Sequence, residues 1–191
     1  MEPGSLASIV CNALIVIFCI AAICGHGKKA PLKVLLRYFT VLSNLLCAVA
    51  ALAVVICRLG GALPDAVRWL KYAGTASVTV TFLTVIAFLG PTLGYKLMLT
   101  GPDLWLHLIC PLLALLSYFA WDRPDAPFAV VLLALLPVLL YGVLYIYRVL
   151  YAPEERRWKD FYGFNRGGRW GLSCLAMAAG SFLVALVLWL V

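Results

Sequence analysis

The chain has 191 residues, of which 65% are hydrophobic and 12% are charged, and its mean hydropathy is +1.04. Soluble domains carry a charge on about a quarter of their residues, so this composition excludes a soluble globular protein and indicates an integral membrane protein. The net charge of +7 does not indicate nucleic-acid binding, because the basic residues gather in the loops between apolar runs, as membrane topology and anionic headgroups require.

Six apolar runs are long enough to cross a hydrocarbon core of about 30 Å, which takes roughly 20 helical residues. They predict an all-α fold in which one domain, 1–191, is a bundle of six transmembrane helices. The predicted spans are 6–24, 33–57, 72–95, 103–121, 127–151 and 168–190. The first run lacks the basic region of a signal peptide, so we interpret it as a true span.

The basic residues also predict the orientation of the bundle. The first, third and fifth loops with their flanks hold eleven Lys and Arg, whereas the second and fourth hold four. By the positive-inside rule the odd loops are cytoplasmic and both termini lie outside, in a membrane that we take to be the bacterial inner membrane. The segment 152–169 mixes charges with aromatic residues, which is typical of a helix or loop at the membrane interface, and a solvated connector is the alternative.

The seven cysteines lie almost entirely within apolar runs and show no paired CxxC spacing. We interpret them as reduced core residues rather than as disulfides or a zinc site. The sequence predicts no metal and no cofactor.

The second predicted span carries a polar stripe formed by Thr40, Ser43 and Asn44, at positions i, i+3 and i+4. Such a stripe faces protein rather than lipid. Asn44 is a candidate donor of a hydrogen bond to a developing oxyanion, and Ser43 is a candidate for positioning the substrate. The alternative for both residues is hydrogen bonding that holds neighbouring helices together.

The fourth predicted span carries His107, which has three possible roles: bridging helices, ligating a metal or haem, or acting as a general base. The ligand role is disfavoured because no second histidine or acid stands at ligand spacing. Thr40 lies about seven residues into its span and His107 about four, which at 1.5 Å per residue places both roughly 5 to 10 Å below the same membrane face. A threonine hydroxyl needs an adjacent base to become a nucleophile, so this match predicts Thr40 as nucleophile and His107 as base.

Three further residues are candidates for the same site. Asp103 stands four residues before His107, where it would either orient the imidazole or cap the helix. Tyr141 and Tyr145 in the fifth span would either supply a hydroxyl to a cavity or pack between helices. The sequence contains no GxSxG, HExxH, P-loop or GxGxxG motif, so we expect any reaction to act on a substrate that partitions into the bilayer.

Three segments together resemble the androgen-induced-gene family of six-span membrane proteins and its bacterial relatives. They are 37–44 in the second span, 105–111 in the fourth span, and 160–165 before the last span. The resemblance extends over most of the chain. Animal members of that family are atypical threonine hydrolases that cleave fatty acid esters of hydroxy fatty acids with an intramembrane threonine and histidine. The resemblance therefore implies Thr40 as the nucleophile and His107 as the base, without identifying the lipid.

The expected function is hydrolysis of a lipid ester within the membrane by a threonine nucleophile and a histidine base. The expected partners are the lipid ester and the bilayer, with no nucleic acid, and the oligomeric state does not follow from the sequence. One alternative is a lipid-binding or transport protein without catalysis, although transport folds usually show inverted repeats and none is evident here. The other is a structural or signalling subunit in which His107 only holds helices together.

Overall fold

A computed structural model describes residues 3–191 and confirms the all-α architecture: six helices in this range are long and apolar enough to span a membrane. Residues 1 and 2 of the predicted single domain lie outside the described range. Two short helices, α2 and α5, lie in connectors between the spans. In chain order the helices are α1 (Pro3–Gly27), α2 (Leu32–Leu35), α3 (Phe39–Leu59), α4 (Asp65–Leu93), α5 (Tyr95–Met98), α6 (Pro102–Asp122), α7 (Ala129–Tyr151) and α8 (Trp170–Leu190).

Helix α4 lies at the centre of the bundle, where it contacts α3, α6, α7 and α8. About half of its most apolar window is buried, compared with 17% for α8 at the periphery. The central position explains how a span rich in serine and threonine is tolerated. The hydroxyls of Ser77, Thr79 and Thr81 each donate a hydrogen bond to the carbonyl four residues earlier on α4 itself.

Helix α3 begins at Phe39, six residues later than the predicted start at residue 33. The backbone leaves the helix after α2, and Tyr38 is extended with φ −97° and ψ 129°. Side chains from other elements satisfy the backbone groups at this break. Tyr141 donates its hydroxyl proton to the Arg37 carbonyl at 2.7 Å, and the N–H of Phe39 donates to the Tyr162 hydroxyl at 3.0 Å. As a result Thr40 is the second residue of α3 and lies near the membrane face.

Helix α4 begins at Asp65, seven residues before the predicted start at Tyr72. The prediction excluded the charged Lys71, but the structure buries this side chain completely. Its ammonium group donates to Asn12 Oδ1 at 2.7 Å, and Asn12 in turn donates to Asp122 at 2.7 Å. Ser8 and Arg58 complete this polar network, at 2.7 Å and 2.9 Å from Asp122 Oδ1. We call Ser8, Asn12, Arg58, Lys71 and Asp122 the buried charge network.

The early part of α6 contains a wide turn, Trp105–Ile109, in which the N–H of Cys110 bonds to the carbonyl of Trp105, five residues back. Pro111 accounts for the widening. Proline has no N–H to donate to the carbonyl four residues earlier, which belongs to His107. The wide turn therefore sets the position from which the His107 side chain projects.

Residues 152–169, which we call the interface segment, are irregular apart from two short 3₁₀ turns. The segment packs against the bundle through aromatic contacts around Tyr145, with ring centres 5.0 to 5.4 Å from Phe161, Tyr162 and Phe164. The Asp160 carboxylate accepts the Tyr145 hydroxyl at 2.9 Å and two backbone N–H groups of its own segment. The aromatic part of the segment is thus folded against the bundle, while residues 153–157 are exposed, as a solvated connector would be.

Candidate active site

His107 is held in one orientation by a backbone carbonyl. Its Nδ1 lies 2.7 Å from the carbonyl oxygen of Met98, at the end of α5, and the residue is only 6% exposed. Because a carbonyl oxygen can only accept, Nδ1 carries the proton. The neutral ring then has a lone pair on Nε2, and within residues 3–191 no hydrogen-bond partner occupies that atom.

The polar stripe of α3 divides into one residue that lines open space and two that join helices. Thr40 is half-buried and lines a cavity, as described below. Ser43 is buried and lies 2.8 Å from the Thr81 hydroxyl of α4. The two N–H groups of the Asn44 amide donate to the carbonyls of Thr40 at 2.8 Å and Leu106 at 3.0 Å. Because both amide protons are used, Asn44 fits the helix-joining alternative better than the predicted oxyanion donor, and so does Ser43.

The bond from Asn44 to the carbonyl of Leu106 fixes α3 beside α6, next to His107 in sequence. It places the start of α3 beside the early part of α6, whereas the predicted depth below a membrane face stays a prediction. The starting points of the two helices differ from the prediction, because Thr40 is the second residue of α3 and His107 the sixth of α6. The proximity of the two helix starts therefore arises from the Asn44 contact rather than from equal distances along the two helices.

Thr40 and His107 line one cavity of about 360 Å³, which we call the histidine chamber. His26, Asp103 and Tyr162 supply further polar groups to its wall. The two candidate catalytic side chains do not hydrogen-bond to each other in this structure; they face the same space. Catalytic hydrogen bonds are often long in unliganded enzymes and shorten when substrate binds.

Asp103 pairs with His26 and not with His107. Its Oδ1 lies 3.2 Å from Nε2 of His26, in the last turn of α1, and both side chains are partly exposed. The orienting role that the sequence offered to Asp103 is filled by the Met98 carbonyl. Asp103 does occupy the first turn of α6, where a carboxylate interacts favourably with the helix dipole.

Thr40 also borders a second, largely apolar space. A narrow volume of about 40 Å³, the tyrosine neck, is lined by Thr40, Tyr141, Tyr145 and Tyr162 together with apolar side chains. The neck shares Thr84 and Met177, among other residues, with a groove of about 390 Å³ between α4 and α8, the lateral groove. Thr40 therefore lies between a chamber with polar groups and an apolar path toward the side of the bundle.

Tyr162 is the site residue that the sequence did not single out. It lines the chamber, the neck and the groove. Its hydroxyl accepts the N–H of Phe39 at 3.0 Å. Burial raises the pKa of Tyr162, although the hydrogen bond from Phe39 acts in the opposite direction. Tyr162 lies in segment 160–165, which contributes to the family resemblance, but its contact with α3 spans 123 positions and so gave it no role in the predicted site.

Tyr141 and Tyr145 line the neck as the sequence predicted, but their hydroxyl protons already have acceptors. Tyr141 donates to the Arg37 carbonyl at 2.7 Å and Tyr145 donates to Asp160 at 2.9 Å. Both side chains therefore shape the neck, while Tyr141 holds the connector before α3 and Tyr145 holds the interface segment. Over residues 3–191, no group of three or more His, Cys, Asp or Glu side chains is arranged to hold a metal ion.

The geometry described above brings Thr40, His107 and Tyr162 to one cavity, places Ser43 and Asn44 between helices, and pairs Asp103 with His26. No family model matches the chain, and neither a curated protein nor a solved structure shows significant similarity to it.

Proposed function

We propose that this chain is an intramembrane hydrolase of lipid esters that uses Thr40 as nucleophile and His107 as general base. The observation that carries the proposal is the histidine chamber, which brings together the Thr40 side chain and a histidine whose Nε2 is free. The resemblance of segments 37–44, 105–111 and 160–165 to a family of threonine hydrolases agrees with the same two residues.

The state of His107 supports its role as a base. A base must be unprotonated at the atom that faces the nucleophile and must be held there. The hydrogen bond from Nδ1 to the Met98 carbonyl places the proton on Nδ1 and fixes the ring, which leaves Nε2 unprotonated. In serine hydrolases a carboxylate performs this orienting task, and here a backbone carbonyl takes its place.

The start of α3 supplies the groups that would stabilise a developing negative charge. Tyr162 accepts a hydrogen bond from the Phe39 N–H, so its own proton remains free to donate toward the substrate. The N–H groups of Phe39, Val41 and Leu42 in this first turn already have acceptors, so the helix contributes through its dipole. A tyrosine hydroxyl at the positive end of a helix, beside the nucleophile, resembles one donor of an oxyanion hole, and a donor of this kind contributes about a hundredfold to a thousandfold to the rate.

The proposed reaction has two steps. The Thr40 oxygen attacks the ester carbonyl carbon while Nε2 of His107 takes the hydroxyl proton. The tetrahedral intermediate collapses, the ester bond to the alcohol breaks, and His107 returns the proton to the departing alkoxide. Water then attacks the acyl-threonine, His107 accepts a proton from it and returns that proton to Thr40, and a carboxylic acid leaves.

The apolar path that leads to Thr40 is the basis for the proposed class of substrate. The lateral groove and the tyrosine neck lead from the side of the bundle to Thr40, and they are lined mainly by apolar side chains. An acyl chain fits this path, since it would pass from bilayer to groove without entering water. We place the protein in the bacterial inner membrane with both termini outside, as the distribution of basic residues favours.

Labelling with a fluorophosphonate probe tests the proposal. Wild-type protein in detergent should be labelled and should hydrolyse a lipid ester, with the released fatty acid measured by mass spectrometry. Thr40→Ala should lose both, and His107→Gln should lower the labelling rate about a hundredfold or more. Thr92→Ala is the matched control, because the Thr92 hydroxyl only bonds to its own helix and lines none of the three spaces. Labelling that persists in Thr40→Ala refutes the assignment.

A lipid-binding protein without catalysis is the second candidate, and the lateral groove of about 390 Å³ is the observation that favours it. It predicts stoichiometric lipid binding that is equal in wild-type protein and Thr40→Ala, with no fatty acid released by either. The hydrolysis assay described above therefore separates the two candidates.

A further inference from the structure

Trp158 of the interface segment has two arginine side chains against its ring. The guanidinium carbons of Arg37 and Arg148 lie 5.9 Å and 5.7 Å from the ring centre. Arg37 belongs to the connector before α3 and Arg148 to the last turn of α7, so the indole joins three elements. The backbone N–H of Trp158 also donates to the Arg148 carbonyl at 2.8 Å. Cation–π attraction holds both guanidinium groups near one ring.

Neither guanidinium is neutralised by a carboxylate. Over residues 3–191 the ion pairs are His26 with Asp103 and Arg58 with Asp122. Asp160 of the interface segment is already engaged, because its two oxygens accept three hydrogen bonds from Tyr145, Phe164 and Asn165. Within residues 3–191, the two positive charges beside the Trp158 ring therefore have no carboxylate partner.

Arg148 has a second feature that suits an anion. Its Nε is buried and has no hydrogen-bond partner within the described part of the chain. Leaving a charged donor buried and unpaired is costly, and natural structures usually satisfy such a group with an anion, a carbonyl or water. The Nε–H group and the two guanidinium forks together offer a donor set that suits a phosphate, which arginine binds through paired, charge-assisted hydrogen bonds.

The surroundings of Arg37 and Arg148 indicate what kind of molecule would carry the phosphate. The interface segment follows the end of a membrane span and combines Trp158 with other aromatic side chains, the composition typical of the headgroup level. At that level the abundant anion is the phosphodiester of an anionic lipid. We propose that Arg37, Arg148 and Trp158 form a binding site for the headgroup phosphate of an anionic membrane lipid. This site is separate from Thr40 and His107 and does not depend on the proposed hydrolysis.

Native mass spectrometry of the full chain in a neutral detergent tests this site. The probes are dioctanoyl phosphatidylglycerol, dioctanoyl phosphatidylcholine and inorganic phosphate. Phosphatidylglycerol should bind to wild-type protein with one site tighter than the rest, phosphatidylcholine should show no such site, and inorganic phosphate should not displace the lipid at equal concentration. Arg37→Gln and Arg148→Gln should each weaken that site roughly tenfold, the factor expected for one charge-assisted contact.

Arg156→Gln is the matched control, since it removes the same charge from the exposed part of the same segment and Arg156 has no contact with the Trp158 ring. Its binding should equal that of wild-type protein. Equal weakening by Arg156→Gln would overturn the site in favour of diffuse surface charge, and equal affinity for inorganic phosphate would overturn the lipid assignment. If a glutamine variant fails to fold, Arg148→Lys decides: it keeps the charge but lacks the fork, and unchanged binding would refute the site.

Discussion

At the scale of single residues, the candidate site depends on the hydrogen bonds that each polar side chain makes within the protein. The Nδ1–H group of His107 donates a hydrogen bond to the Met98 carbonyl, which leaves Nε2 free. Asn44 donates one amide proton to the Thr40 carbonyl of its own helix and the other to the Leu106 carbonyl of α6, so neither proton is left for a substrate. Tyr162 has accepted a backbone N–H and retains its own proton. The distribution of protons therefore separates the groups available for catalysis from those that hold the bundle together.

Tyr162→Phe is the first prediction at this scale. Removal of the hydroxyl should lower kcat for lipid-ester hydrolysis about a hundredfold, because a donor to the oxyanion is lost, with a much smaller change in KM. Tyr147→Phe is the control, since Tyr147 is half exposed and lines none of the three spaces. A loss confined to KM would show that Tyr162 positions the substrate but does not stabilise charge.

The pKa of Tyr162 adds a second measurement with the same variant. Burial raises this pKa above the usual tyrosine value near 10, so the folded protein holds the proton more tightly than the unfolded chain. The resulting stability is fully present below about pH 10 and is lost as the pH rises through the higher folded pKa. The thermal midpoint should therefore fall less between pH 9 and pH 11 in Tyr162→Phe than in wild-type protein. Parallel curves for the two proteins would contradict this expectation.

At the scale of helices, the close crossing of α3 and α4 fixes the frame on which Thr40 stands. A Cβ added at Gly74 would lie 3.0 Å from the Cα of Cys47, which is backbone and cannot move aside. The two helices approach at this point because Gly74 has no side chain. Small residues at such positions are a common way for membrane helices to pack closely.

Gly74→Ala should therefore destabilise the protein, by about 1 to 3 kcal/mol for the crowded contact, partly offset by a gain of up to about 1 kcal/mol in helix propensity. Gly180→Ala is the control, because Gly180 lies in the middle of α8 and a Cβ there would meet no atom within 4 Å. Thermal unfolding in detergent, followed by circular dichroism, measures both. Equal midpoints for the two variants would mean that α3 and α4 do not cross closely at Gly74.

The sequence predicted the helices better than it predicted their ends. Six runs of apolar residues determine six spans, because a bilayer leaves a helix of that length almost no other choice. The start of α3 did not follow from hydropathy, because it depends on hydroxyls of Tyr141 and Tyr162 that reach the backbone from distant positions. The start of α4 was placed too late, because Lys71 is tolerated only through Asn12, a residue 59 positions away.

The sequence likewise predicted some residues of the candidate site and missed others. The pairing of Thr40 with His107 at one cavity followed from depth and polarity, which are properties of single spans. The Met98 carbonyl as orienting group did not follow, because every residue has a carbonyl and none is marked in the sequence. Tyr162 and His26 were missed because their approach to the chamber depends on how separate helices meet.

At the scale of the whole molecule, the buried charge network joins α1, α3, α4 and α6 at one level of the bundle. Asp122 is its hub, since it is fully buried and accepts from Ser8, Asn12 and Arg58. Lys71 reaches the hub through Asn12. Removing one member of such a network leaves buried charges without partners, which costs more than the network itself contributes.

Asp122→Ala should accordingly lower the free energy of unfolding by about 3 to 5 kcal/mol, because Arg58 and Lys71 lose their shared counter-charge. Asp125→Ala, three residues further along and exposed, should change it by no more than about 0.5 kcal/mol. Denaturation in mixed micelles measures both. A small effect at Asp122 would indicate that water reaches the network in the folded protein.

Thr40 stands where the histidine chamber meets the tyrosine neck, and this position has a consequence for how a cleavage reaction would end. Under the proposed function, the two fragments of a severed ester would lie on opposite sides of that residue. A polar fragment would diffuse into solvent past the partly exposed His26 and Asp103. An apolar fragment would leave through the lateral groove between α4 and α8 and enter the hydrocarbon of the bilayer. Because the fragments separate into different phases, they rarely meet again, and turnover would proceed in one direction without any energy source.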